Sequence, residues 1–103
     1  MRWPEIPLAM ILALAAGGAQ AADRTAALTS LVREDCGSCH GMTLKGGLGA
    51  ALTREDLAEK DSASLAAIIL DGVPGTPMPP WRGLISETDA RWIAERLKQG
   101  FPE

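Results

Sequence analysis

Both cysteines and the single histidine of this chain fall inside one short stretch, DCGSCHGM, from Asp35 to Met42. In Cys36-Gly37-Ser38-Cys39-His40, two intervening residues let one helical turn present two thiols together. Such a pair can add to the two vinyl groups on one edge of a porphyrin, and the next residue then offers a ring nitrogen to the iron. Gly37 and Ser38 are small enough for the turn to lie close to the macrocycle. The spacing therefore predicts one covalently bound haem c, with thioethers at Cys36 and Cys39 and His40 as proximal ligand. A thioredoxin-like redox pair would want a βαβ context, and no strand is there to begin one. Structural zinc needs four ligands, usually at paired spacings. A disulfide between cysteines three apart closes a very small loop and restrains the unfolded chain little.

The second axial ligand is sought among four methionines, Met1, Met10, Met42 and Met78. Met1 and Met10 lie in a leader, and Met42 is too near His40 in sequence to cross to the other side of a porphyrin. Met78 stands in GTPMPPW, where prolines hold a stiff, extended backbone that delivers a thioether at little ordering cost. The plain alternative is a methionine filling a core gap, but such residues usually sit on helices or strands.

The elements that must position these groups follow from the rest of the chain. Residues 1–21, MRWPEIPLAMILALAAGGAQA, read as a secretory signal peptide, with Arg2 at the start, an apolar run from Leu8 to Ala16 and Ala19-Gln20-Ala21 before the cut. That run is well short of the ~20 residues of a bilayer span, so no stable membrane span is expected after cleavage. Residues 22–103 form one domain, exported to the periplasm. Losing Arg2 and Glu5 leaves the net charge at −3, without the basic patch that a nucleic-acid binder shows. Trp81, Trp92 and Phe101 are the only aromatics of that domain, so something else must give bulk to its core.

Four helices are predicted. Asp23 caps the first, whose Ala27, Leu28, Leu31 and Val32 form an apolar face running into Asp35-Cys36. Thr53 with Asp56 opens a short second one. Asp61 or Ser62 caps the third, with Leu65, Ile68 and Ile69 on one face and Gly72 at its end. Ser86 with Asp89 opens the last, striped by Ala90, Ile93 and Leu97 and stopped by Gly100 and Pro102. The segments GMTLKGGLG and VPGTPMPPW, rich in glycine and in proline, are long loops.

With the CGSCH motif, the glycine loop, GTPMPPW and the capped last helix in that order, the chain resembles a class I cytochrome c. More narrowly, DCGSCHGMTLKGGLG, GTPMPPWRGLIS and ARWIAERL resemble the small c55X-type cytochromes of denitrifying bacteria. The resemblance implies an all-α fold of about four short helices around one haem. Leu28, Leu31 and Val32 would meet Ile93 and Leu97, and Ile68, Ile69 and Trp81 would line the haem pocket. With His40 and Met78 filling both axial positions, it implies a monomeric single-electron carrier, not an enzyme, that donates to a cd1-type nitrite reductase. Alternatives are an electron donor in haem d1 biosynthesis, or a gas sensor or peroxidase with a labile Met78. Three departures stand out. Gly49-Ala50-Ala51 replaces a proline whose neighbourhood receives the imidazole N–H, a task left to some backbone carbonyl. Arg96 stands where an aromatic is common. Trp92, about 130° off the apolar stripe, either packs beside a loop or meets a partner. Lys45 and Arg82 read as ordinary solvated charges.

Overall fold

The computed structural model describes Pro4 and residues 8–101. Arg2 of the expected leader and Pro102, read as a helix stop, lie outside the described residues. The helices are α1 (Leu8–Leu31), α2 (Gly37–His40), α3 (Arg54–Leu57), α4 (Ser62–Asp71) and α5 (Glu87–Gln99), with a π-helical turn over Val32–Cys36 joining α1 to α2. No β-strand forms among the described residues, and none of their helices is long and apolar enough to cross a membrane.

Local chemistry sets most of the boundaries. Thr53 accepts the Asp56 amide at 3.3 Å and Asp61 accepts the Ser64 amide at 3.0 Å, each satisfying an N–H that the first turn leaves without a helical partner. Ser86 and Asp89 form a complete capping box: the Asp89 amide donates to the Ser86 hydroxyl at 3.0 Å, and the Ser86 amide to Asp89 Oδ2 at 2.9 Å. Gly72 and Gly100 close α4 and α5. Asp23 departs from expectation, because it lies inside α1 rather than at its start. The apolar segment before it is itself helical and carries α1 through this position.

One core joins α1, α3, α4 and α5. Leu28 and Val32 come from the first helical segment, Leu44 from the glycine loop and Leu57 from α3. Leu65, Ala66 and Leu70 of α4 join Ala90, Ile93, Ala94 and Leu97 of α5. Leu28 and Val32 thus share one core with Ile93 and Leu97. Ala90 and Ala94 are fully buried, and their small side chains let the neighbouring helices approach closely. The buried face of α4 differs from the one read in the sequence. Ala66 and Leu70 turn inward with Leu65, while Ile68 stays 41% exposed. At 100° per residue Ile68 lies about 130° from the centre of the Leu65-Ala66-Ile69-Leu70 face. At the far end of α5, the Lys98 ammonium donates to the carbonyls of Leu57, Ala58 and Lys60, fastening α3 to the last helix.

A long-range ion pair ties the two ends of the domain. The Arg24 guanidinium grips both carboxylate oxygens of Asp89, its Nε standing 3.0 Å from Oδ1. Asp89 is buried, so it caps α5 and anchors α1 with the same carboxylate. The guanidinium holds its pKa down at about 2, against the desolvation that burial imposes. A carboxyl depressed in the folded state stabilises the protein above its unfolded pKa of about 3.9 and loses that contribution as pH falls through the folded value. Asp89→Asn is therefore expected to cost about 1–2 kcal/mol at neutral pH in urea unfolding of the haem-loaded protein. The gap from the parent should close as the pH is lowered from about 4 towards about 2.

Candidate functional site

The first arm of the site grows out of α1. The Gly37 amide donates to the Val32 carbonyl, a wider π-type bond in place of the α-helical continuation expected up to Cys36. Such a turn takes up an extra residue, so Gly37–His40 follow at a different angular setting from that of an unbroken α-helix, a device common at functional sites. Cys36 packs half-buried against the core, Cys39 and His40 are half-buried, and Gly37 is buried between them. The Ser38 hydroxyl donates to the Asp35 carbonyl at 2.8 Å and stiffens the turn.

Neither cysteine is in a disulfide. Burial pushes the Cys36 thiol up to about 11, and the neighbouring Asp35 charge adds to the rise. That is the opposite of the depressed pKa that makes an attacking thiol in a redox pair. Among the described residues, no three His, Cys, Asp or Glu side chains converge to cage a metal ion.

The imidazole of His40 is held by backbone. Its Nδ1–H donates to the Ala50 carbonyl at 2.6 Å, since a carbonyl can only accept. This leaves the lone pair of Nε2 for a metal, the arrangement that fixes tautomer and ring orientation in ligating histidines. Ala50 thus supplies the carbonyl that the missing proline had left unassigned. Gly49 is required for it: a Cβ there would stand 2.7 Å from both Cε1 and Nδ1 of the ring. The glycine loop is folded back by its amides, Gly46 donating to His40 O at 2.8 Å and Gly49 to Cys39 O at 2.7 Å, which satisfies carbonyls that α2 cannot pair internally. Leu44 accepts a left-handed φ of 61° to bury its side chain and pin this loop to the core.

The second arm is the loop that leaves α4. Met78 is half-buried there. The Trp81 amide donates to Ile69 O at 3.2 Å and the Arg82 amide to Leu70 O at 2.9 Å, so the loop returns to the last turn of α4. Arg82 is more than a solvated charge: its Nε meets Asp71 Oδ1 at 2.9 Å and its Nη1 stands 3.6 Å from Glu87, bridging the end of α4 to the start of α5. Ile69 and Trp81 pack on the core margin, while Ile68, Val73 and Leu84 leave apolar surface exposed. Two thiols outside any disulfide, an imidazole with one nitrogen already engaged, and a proline-rich loop carrying a half-buried methionine suit a covalently bound haem.

Trp92 packs partly buried against the core, and the Arg96 guanidinium lies over its ring at 5.9 Å from the centroid. The cation covers the indole face where an aromatic would otherwise stack. A cavity of about 310 Å³ between the glycine loop, α3 and Phe101 is separate from the site: none of Cys36, Cys39, His40 or Met78 lines it.

Comparison with known proteins sets the chain among c-type cytochromes. The family model described as "Cytochrome C oxidase, cbb3-type, subunit III" matches residues 23–95. A cytochrome c55X of Paracoccus denitrificans is 53% identical over 94 residues, spanning 87% of this chain and 91% of the relative. The solved structure of a c-type cytochrome NirC superposes with a TM-score of 0.74 at 55% identity, covering 76% of this chain and 92% of that one. A dihydro-heme d1 dehydrogenase of Pseudomonas aeruginosa is 33% identical over 73 residues, 71% of this chain but 15% of that much longer protein.

Gly49→Ala is expected to force the 49–50 backbone off the imidazole and break the Nδ1–H bond. Overpacking of this kind costs about 1–3 kcal/mol, read as a lower guanidinium midpoint of the haem-loaded protein.

Proposed function

From a chain that belongs to the cytochrome c55X group of c-type cytochromes, an electron-transfer protein with covalently bound haem c, we propose the following assignment of its residues. Cys36 and Cys39 would hold the haem through two thioethers, and Nε2 of His40 and the sulfur of Met78 would ligate its iron. When bound, the haem would supply one-electron redox chemistry. The protein's part is to hold both axial groups still. His40 is fixed by the Ala50 carbonyl, and Met78 by a loop seated on α4. Thioether ligation by Met78 would favour the ferrous form and so raise the potential. The observation that carries this reading is the Nδ1–H to Ala50 bond within the Cys-x-x-Cys-His turn, which prepares His40 for a metal on its other nitrogen.

Residues 1–21 direct export and are removed after Ala21, placing the domain in the periplasm as a monomer that meets its partner transiently. The likeness to c55X cytochromes supports a cd1-type nitrite reductase as the acceptor, in denitrification. A second reading is favoured by the dehydrogenase whose name includes heme d1 and whose short matching segment resembles most of this chain: electron transfer during haem d1 formation. A small, polar-rimmed contact serves either partner.

Met78→Ala is expected to let the reduced protein bind carbon monoxide, to abolish the weak long-wavelength band of sulfur on ferric haem and to lower the potential. An unchanged spectrum would assign the ligand elsewhere. Stopped-flow transfer from the reduced protein to cd1 nitrite reductase separates the two partners, with fast turnover expected for the carrier role and slow transfer pointing to haem d1 formation.

A further inference from the structure

Residues 73–80 contain Pro74, Pro77, Pro79 and Pro80, which remove four amide donors from an eight-residue loop. Three of the remaining amides are spent inside it. Val73 N–H donates to Met78 O at 3.2 Å, Thr76 N–H to Val73 O at 3.1 Å, and Met78 N–H to the Thr76 hydroxyl at 3.3 Å. The same hydroxyl donates its proton to Val73 O at 2.7 Å, so its orientation is set and its lone pair is turned to Met78. Both backbone polar groups of Met78 are therefore held, its N–H by a side chain. The base of the loop is equally close. Gly72 adopts φ +67°, and a Cβ on it would stand 2.7 Å from Pro80 N and 2.8 Å from Met78 O.

Proline fixes φ at 77 and 79, and a residue preceding proline is confined to extended backbone, which restricts Thr76 and Met78. The rotation about ψ of Pro77 is left open by these rules. That torsion swings the whole of Met78, and the Met78 N–H to Thr76 bond opposes it.

We propose that Thr76 is the positioning residue for the axial sulfur, its hydroxyl stapling Met78 so that the thioether is presented to the iron in one orientation. The proposal rests on Met78 being the ligand. Thr76 touches neither the metal nor a partner in this role; it acts through the Met78 backbone.

Titration of the ferric, haem-loaded protein with imidazole, which displaces a weakly held axial sulfur, tests it. Thr76→Val removes the hydroxyl while keeping the shape, and is expected to tighten imidazole binding about fivefold, as loss of one solvent-accessible hydrogen bond allows. Thr76→Ser keeps the hydroxyl and should stay within about twofold of the parent. Thr76→Ala removes the same group without placing a second methyl and is read in the same way if the valine variant matures poorly. A valine or alanine variant that matches the parent, or a serine variant that binds imidazole as tightly as the valine one, overturns the proposal. Met78→Ala separates the two layers. Unchanged imidazole binding in that variant removes the premise; strong tightening there without any in Thr76→Val leaves the ligand in place and removes the staple.

Discussion

The imidazole of His40 is oriented by the chain itself, through one hydrogen bond to a backbone carbonyl that only a glycine at 49 allows to come so near. Much of the structure can be understood as serving that contact. The glycine loop turns back because its amides find the carbonyls of Cys39 and His40, and Leu44 nails it to the core at the expense of an unfavourable backbone angle. The π-helical turn before Cys36 sets the angle at which the whole Cys-x-x-Cys-His unit leaves α1. A carrier that exchanges electrons quickly needs little movement of its metal ligands between oxidation states, and the fixed ring of His40 would contribute to that stiffness in the proposed role.

The two arms are kept together by an economical framework. α5 is the central post, packing on α4 along its length and on α3 through Lys98, and joined to α1 by the Arg24–Asp89 pair. Asp89 serves two elements at once, which is why a single carboxylate couples helix capping to the closure of the domain. Arg82 plays the corresponding part at the other end of α4, where its bonds to Asp71 and Glu87 flank the base of the Met78 loop. As these are exposed pairs, their value lies more in restricting geometry than in raw stability.

Much of this was legible in the residues. Thr53, Asp61 and Ser86 cap where their side chains predict, and Gly72 and Gly100 end their helices, because capping is decided within four residues of chain. What escaped depends on contacts distant in sequence or on backbone alone. Nothing near Arg24 announces a partner 65 residues away. Ala50 acts through its carbonyl, which every residue possesses. The choice of Ala66 and Leu70 over Ile68 for the α4 interface is made by α5, whose fully buried alanines accept that face. Asp23 suits a cap on local grounds, but the helical segment upstream carries α1 through it. Arg96, out of place as a substitute for an aromatic, makes sense once Trp92 is seen beneath it.

In the proposed assignment the chain folds around a haem joined through both sulfurs of its Cys-x-x-Cys-His turn. Peptide mass mapping of protein matured in a host that attaches haem c tests it most directly. One haem on the peptide containing Cys36 and Cys39, with neither sulfur open to alkylation, is the predicted result. Two free, alkylatable thiols in fully matured protein would contradict it.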